Sequence, residues 1–509
     1  MNPEKKRFRR VFVTKTRIGR IFFMIFGTPV PLLALIAISM ALIPFKYGME
    51  TDEGIWNYIA RMRILYDLTP YNDLVENKPP GIFYIFYISN LLFGLNLWFP
   101  RLAAVVSMVS TSAVMYLLGK LLHNKTTGLF SMLFFGMMMS SYMIGAYTVS
   151  TESFMVFFST LAFLFVVYAQ TQQSYRQYVS CIFTAGLSMG CALAFKQIAL
   201  ADMGALFLFY CLYCKSRYST HKSYPRDILL LATGVLCTTA LSILPILADG
   251  VPLEYYIQCV WELIFFSGTV NPQEVAVKRS LKVWFQPEMT FFYVAFYWFA
   301  VKNKTFRIKR ISVFSVLAWV AISFLAVNSA GTFWWHHLQQ FIAPMSLVIA
   351  LTLSVFADSF SLREDSYKKA VCLCAIATVA VFMPFASICD YINHKSLFYD
   401  NNPLSAEKKE MGLWLKEHTA PEDSIYIYES TGQVALAYSD RKSSSRHFSR
   451  MFLHRNEYLE ELMRDITSNH PRYLLVRGGR FFSENFRQFI TEEYKLYTKK
   501  YGYNVFEPK

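Results

Sequence analysis

The chain has 509 residues, 54% hydrophobic and 17% aromatic, with a mean hydropathy of +0.30 and a formal net charge of +15. Several apolar runs reach the ~20 residues that cross a bilayer, which excludes a single soluble domain and indicates a polytopic helical membrane protein rather than a barrel. Much of the positive charge falls where cytoplasmic loops belong, which argues against nucleic acid as the partner.

In chain order, residues 1–20 form a basic segment with Lys5, Lys6, Arg7, Arg9, Arg10, Lys15, Arg17 and Arg20, placing the N-terminus in the cytoplasm. Residues 21–45 carry no charge; the run is too long for a signal-peptide core and lacks a small-residue cleavage site, so it reads as a retained anchor. The outer loop 46–80 follows. In it Ile55, Tyr58, Ile59, Met62 and Tyr66 recur at helical spacing, which predicts an amphipathic helix on the outer membrane surface. The apolar stretch 81–95 is short, either hemi-embedded or a short span. About eleven spans are expected: 21–45, 101–122, 127–147, 152–169, 177–195, 198–214, 227–248, 287–301, 311–328, 338–357 and 369–389. This register keeps the basic connectors inside and puts Glu152, Lys196, the 249–286 loop and 329–337 outside. Asn124-Lys125-Thr126 and Asn303-Lys304-Thr305 match the glycosylation acceptor pattern but fall on the inner face.

Residues 21–389 thus read as one transmembrane domain, and the mixed, charged composition of 390–509 as a small extracytoplasmic α/β domain. The expected elements there are a helix 405–418, a strand 424–429, a helix near 456–468, a strand 472–477, a helix near 484–494 and one final strand 496–506. The Cys211-x-x-Cys214 pair lies in an apolar helix and reads as packing; Cys259 and Cys389 both fall in outer segments, leaving a disulfide open.

The chemistry-bearing residues gather at outer span ends. Asp52 stands just past the first span, where a carboxylate stays ionised and still reaches a lipid-borne substrate; it would equally cap the following helix. Glu53 complements that helix's N-terminal dipole or contacts substrate. Lys78, in Asn77-Lys78-Pro79-Pro80-Gly81, is aimed by a rigid proline frame as a phosphate contact, or it snorkels at the interface. Glu152 opens one span. Lys196 interrupts an apolar run, and Lys278 and Arg279 lie in an outer loop, all three as candidate phosphate contacts or as charges facing headgroups. His336 and His337 are candidate ligands for phosphate, sugar or metal, although adjacent histidines diverge on a helix. A P-loop, a dinucleotide fingerprint, a nucleophile elbow and zinc-module cysteine spacing are all missing from the sequence.

The order of "TDEGIWNYIARM", "LTPYNDLVENKPPGIFY", "LLFGLNLWFPRLAAVVS", "TVSTESFMVFFSTLAF", "LAFKQIAL" and "HHLQQFIAP" resembles the GT-C membrane glycosyltransferases, closest to the glycosyltransferase 39-like protein O-mannosyltransferases and aminoarabinose transferases. The resemblance implies inverting sugar transfer from a polyprenyl-phosphate donor to a lipid, glycan or protein acceptor, on the outer face of the inner membrane. It implies Asp52 as catalytic base, Lys78 on the donor phosphate and Glu152 as a second acidic site. The chain departs from the aminoarabinose transferases at two positions. Asn77 replaces their metal-ligating acid, and Ile55 their arginine three residues after the aspartate. No cofactor is therefore certain, and a divalent metal stays open. The chemistry agrees with one base and a held phosphate, because a phosphate leaves without a proton. A secondary transporter or flippase, and a GT-C ligase or polymerase using a pyrophosphate-linked donor, are the competing readings.

Overall fold

A computed structural model describes residues 21, 24–42, 44–141, 144, 148–215, 221–263, 278, 280–281, 284–285, 310–329, 334–359, 385, 388–389, 392–393, 403–450, 453, 456–478 and 484–509. The expected span 287–301, most of 369–389, Arg279 and Asn303 lie outside the described residues. The chain divides into two compact units, residues 1–44, 102–240 and 271–393 in the first and 45–101, 241–270 and 394–509 in the second.

The helices up to the sheet domain are α1 Pro29–Ala41, α2 Thr51–Tyr66, α3 Gly81–Phe93, α4 Trp98–Leu122, α5 Lys125–Met139, α6 Thr151–Ala169, α7 Tyr175–Phe195, α8 Ala199–Lys215, α9 Tyr224–Ala248, α10 Leu253–Ile257, α11 Arg310–Ser329 and α12 Gln339–Ser359. Among the described residues six helical stretches are long and apolar enough to cross a membrane: Pro29–Lys46, Trp98–Leu122, Thr151–Ala169, Tyr175–Phe195, Tyr224–Ala248 and Trp335–Ser354. Three more, Gly81–Phe93, Ala199–Cys214 and Val313–Ser329, are apolar but shorter. At a 1.5 Å rise the 13 residues of α3 cover only about 20 Å, against a hydrocarbon core of ~30 Å.

In the first unit α6 packs along α7, α8 along α11, and α12 along α5. Small residues permit the closest approaches, the usual device where lipid tails compete with side chains for apolar contact. A Cβ on Gly190 would lie 1.9 Å from Thr238 Oγ1, and one on Gly186 2.3 Å from the Leu231 carbonyl oxygen, so α7 and α9 meet backbone to backbone. Phe163 of α6 stacks on Trp319 of α11 with ring centroids 3.6 Å apart. Asn124 serves as the N-cap of α5, its Oδ1 accepting from the Thr127 amide at 2.9 Å, which accounts for the Asn-Lys-Thr match as a helix start.

The second unit contains the sheet domain. Its helices are α13 Pro403–His418, α14 Gln433–Ser439, α15 Asn456–Asn469 and α16 Glu484–Glu493. Its strands are β1 Ser424–Tyr428, β2 Lys442–Ser443, β3 Tyr473–Val476, β4 Tyr494–Lys500 and β5 Tyr503–Pro508, in the order β2-β1-β3-β5-β4. β1 pairs in parallel with β2 and β3; β5 runs antiparallel to β3 and β4. The expected single final strand is therefore a hairpin. Tyr501 and Gly502 turn the chain with φ of 49° and 78°, two successive positive values that suit a tight hairpin loop, and Lys500 pairs with Tyr503. α14 and β2 were not foreseen. Cys259 and Cys389 are free thiols.

The amphipathic helix is α2, but protein rather than lipid covers its apolar face: Ile55, Tyr58, Ile59 and Met62 are all buried. The sheet domain meets it at one-turn intervals. Gly54 abuts Val434 of α14, the Tyr58 hydroxyl accepts from the Ser443 amide at 2.7 Å, Arg61 Nε donates to Asp440 at 2.7 Å, and the Tyr66 hydroxyl lies 2.9 Å from the Asp440 carbonyl. A Cβ on Gly54 would sit 2.9 Å from the Val434 amide nitrogen. Gly54→Ala is expected to cost roughly 1–3 kcal/mol by overpacking, read as a lower thermal unfolding midpoint of the purified protein in detergent.

Candidate functional site

Two polar centres contain the expected residues, one in each unit. In the second unit the site begins where the chain leaves the first apolar segment. Glu50 is the N-cap of α2 and forms a reciprocal capping box with Glu53, so the helix starts at Thr51. Asp52, for which an N-cap was the competing reading to a catalytic carboxylate, is therefore inside the first turn, and Glu50 takes the cap position. Among the described residues no hydrogen bond or ion pair engages its carboxylate.

Glu53, expected as a partner of the helix dipole or a substrate contact, anchors the start of α2. It is 0% exposed, and both of its oxygens are held by Arg101, Nε to Oε1 at 2.8 Å and Nη2 to Oε2 at 2.6 Å. Arg101 also donates to the Tyr47 and Gly48 carbonyls at 2.6 and 2.7 Å. Sequence reasoning missed Arg101. Its signal was a basic residue in an otherwise apolar run, a place where charges are rare and paired.

Lys78 is held through its backbone. The Tyr71 hydroxyl donates to the Lys78 carbonyl at 2.8 Å, and Arg446 of the sheet domain donates to the Tyr71 carbonyl at 2.7 Å. The Lys78 ammonium donates to Asn77 Oδ1 at 2.6 Å and lies 3.8 Å from Glu76 Oε1. Glu76 is the second residue that sequence reasoning passed over. It is 1% exposed; Oε1 accepts from the Asn77 amide at 3.0 Å, and Oε2 has no hydrogen-bond partner among the described residues. Burial pushes its carboxyl up to about 7; Lys78 and two backbone amides oppose that rise, and Asp52 adds to it. Asp52 and Lys78 thus act on one buried carboxyl. The signal for Glu76 was its i, i+2 spacing from Lys78, which puts both on one side of an extended chain.

At the position where the resembling enzymes have a metal-ligating acid, Asn77 offers a neutral amide oxygen already bound to the Lys78 ammonium. These residues do not fit a divalent cation there.

In the first unit Ser150 caps α6, and Glu152 lies in its first turn, 1% exposed. α7 ends at Phe195, and Lys196 takes an extended conformation before α8 starts at Ala199. That break frees the Lys196 side chain from the helix, and its ammonium binds Glu152 Oε1. Gln339, the first residue of α12, accepts from Ser150 and Ser153 at 3.3 and 3.2 Å, which ties the start of α12 to the start of α6. The preceding 3-10 turn, Trp335–Leu338, thereby brings His336 and His337 to Glu152, each Nε2 3.8 Å from Oε1. The expected divergence of the two rings fails because they sit in this turn, edge to face with centroids 4.8 Å apart. Lys278 is exposed.

The Glu76 carboxyl gives the second unit a pH signature. Its folded value, about 7, exceeds the ordinary 4.5, so the folded state binds the extra proton between those values. Stability from this group is full below about 4.5 and is lost as pH rises through 7. Glu76→Gln is expected to flatten the fall of the unfolding midpoint between pH 5 and 8.

The family model described as dolichyl-phosphate-mannose-protein mannosyltransferase matches residues 77–243. No curated protein sequence matches the chain. Among solved structures, ArnT from Cupriavidus metallidurans in the apo state superposes with a TM-score of 0.64 at 12% identity, over 96% of this chain and 98% of that one. The same enzyme bound to undecaprenyl phosphate gives a TM-score of 0.63 at 12% identity, over 96% and 98%. The Archaeoglobus fulgidus oligosaccharyltransferase in complex with Zn and sulfate gives 0.54 at 13% identity, over 88% of this chain and 68% of that one. The chain therefore has the helical fold of the GT-C membrane glycosyltransferases, as its sequence motifs led us to expect.

Proposed function

We propose that the protein is an inverting glycosyltransferase that moves a sugar from a polyprenyl-phosphate donor to an acceptor hydroxyl on the extracytoplasmic face. The observation that carries this reading is the proline-framed Lys78 ammonium 3.8 Å from the buried Glu76 carboxylate, whose protonation the Asp52 charge in the first turn of α2 also favours. ArnT of the same fold binds undecaprenyl phosphate, which supports a donor of that class.

Asp52 takes the proton of the acceptor hydroxyl as its oxygen attacks the anomeric carbon. The bond from that carbon to the phosphate oxygen breaks, and its electron pair leaves with the polyprenyl phosphate. Lys78 faces the negative charge that develops on the departing phosphate, the charge that most needs stabilisation in such a step. The leaving phosphate needs no proton, so one base suffices. The donor's tail stays in lipid, and this reading puts both groups at the membrane boundary. Asp52 follows the apolar segment Pro29–Lys46, and Lys78 precedes the apolar α3. The sheet domain, by holding α2 and the Tyr71 loop, sets the aim of both.

The test uses the full chain in lipid nanodiscs, a sugar-loaded polyprenyl phosphate, and washed membranes of the producing cells as acceptor source. Asp52→Asn is expected to lose about 10²-fold or more in turnover with an unchanged unfolding midpoint. Lys78→Met is expected to weaken donor use by at least about tenfold. Wild-type turnover in Asp52→Asn would remove Asp52 as the base. Vesicle flux of donor without product would replace the reading with a transporter, and consumption of a pyrophosphate-linked donor alone would replace it with a ligase or polymerase.

A further inference from the structure

We infer that Glu152, His336 and His337, in the first unit, form a binding site for a first-row divalent metal of the zinc class, with Lys196 as its built-in competitor.

The geometry is close to that of a bound ion. One ligand atom from each residue lies within 4.8 Å of the other two, and each histidine Nε2 is 3.8 Å from the same Glu152 oxygen. Zinc bonds of about 2.0–2.1 Å in a tetrahedron set donors roughly 3.3–3.4 Å apart. Each nitrogen thus needs to approach the oxygen by about half an ångström, and the widest donor pair, at up to 4.8 Å, to close by about 1.4 Å, which side-chain rotations of the two imidazoles supply.

The surroundings are built for a ligand set. Thr151 Oγ1 donates to the other Glu152 oxygen, Oε2, at 3.0 Å, which leaves Oε1 as the donor and fixes the plane of the carboxylate. Gln339, held by Ser150 and Ser153, fixes the turn that carries the imidazoles. Glu152 is 2% exposed at its side chain, whereas His336 and His337 are 28% and 16% exposed. The closed side therefore holds the charged ligand, and the open side gives an ion access and room for a further ligand. Three protein ligands with one position left over is the arrangement of zinc sites that act on bound molecules rather than merely staple a fold. Two imidazoles and a carboxylate suit zinc and its first-row neighbours, not the hard, oxygen-preferring calcium or magnesium.

Lys196 binds the same oxygen that a metal would take. Both imidazoles also turn a nitrogen to that oxygen, as ligands of one ion would. Because Lys196 stands at the break between α7 and α8, its side chain withdraws without unwinding either helix. Removal of its ammonium relieves both the competition for Oε1 and the repulsion of a dication.

The experiment is a titration of Zn²⁺ alone, in competition with a chromophoric chelator, into the full-length protein purified in detergent and stripped with EDTA. One ion per chain is expected. The double variant His336→Ala/His337→Ala is expected to weaken that binding at least tenfold at an unchanged unfolding midpoint. Lys196→Met is expected to tighten it several-fold. Co²⁺ in place of Zn²⁺ is expected to give an intense visible band in the wild type that the double variant loses. Should the double variant not fold, each single variant of a part-exposed ring carries the same comparison. Wild-type affinity in the histidine variants, or no stoichiometric binding by the wild type, overturns the site. Unchanged affinity in Lys196→Met overturns the role given to Lys196. None of these readouts depends on glycosyl transfer, so failure here leaves the proposed function standing, and the reverse holds too.

Discussion

The ion pair between Glu53 and Arg101 is the interaction on which the second unit depends. Both side chains are almost wholly out of water, at 0% and 1% exposure. Burial of two charges costs several kcal/mol per ion, and only complete hydrogen bonding makes that bearable. Here the bonding is complete in that sense: Arg101 reaches both carboxylate oxygens and two backbone carbonyls, and Glu53 also receives the Glu50 amide at 3.1 Å. The start of α2 is therefore a fixed point. Capping by Glu50 and Glu53 settles the helix register, and register decides where Asp52 emerges. Loss of either partner would strand a buried charge, at a cost of about 3–5 kcal/mol.

From that fixed point the sheet domain takes over the positioning. It meets α2 at Gly54, Tyr58, Arg61 and Tyr66, spacings of three to five residues that stay on one side of a helix. It meets the Tyr71 loop through Arg446, whose carbonyl also accepts from the Val75 amide at 3.0 Å. The Asp440 carboxylate, between Arg61 and Lys416, is held below its ordinary range by those two cations, against the opposing effect of burial. The residues that carry Asp52 and Lys78 are thus braced on ordered backbone. A reacting group misplaced by about an ångström loses a large part of its rate advantage, so such bracing bears directly on chemistry.

What could be read in the sequence follows from the range of the forces involved. The apolar runs at Trp98–Leu122, Thr151–Ala169 and Tyr175–Phe195 were legible because a bilayer imposes a length and a composition on each helix separately. Strand β1 and helices α13, α15 and α16 were legible from local periodicity. The final hairpin was read as one strand because its two-residue loop carries only one conspicuous residue, Gly502, beside a tyrosine with positive φ. The burial of α2 was misread for a different reason. An amphipathic face states that something apolar covers it, and here the cover is chain some 380 residues further on rather than lipid. Asp52 and Lys78 were singled out from the sequence because each stands next to an apolar run. Arg101 and Glu76 were not, because the meaning of each depends on a partner that only the fold supplies.

The two centres also divide the labour of charge in opposite ways. In the second unit the Lys78 ammonium lies beside the buried Glu76 carboxylate, and the Asp52 charge acts on the same group; in the proposed reaction these charges serve a single proton transfer beside a departing phosphate. In the first unit one carboxylate oxygen is approached by an ammonium and two imidazole nitrogens, an arrangement that concentrates donors on one point. A site that needed only neutrality at Glu152 would be complete with Lys196. His336 and His337 also turn a ring nitrogen to that oxygen, each 3.8 Å away. In the proposed metal site a cation with several coordination positions replaces the ammonium and draws on all three donors. The break at Lys196 is what makes the exchange cheap, since the lysine leaves by its own side-chain rotations while α7 and α8 keep their hydrogen bonds.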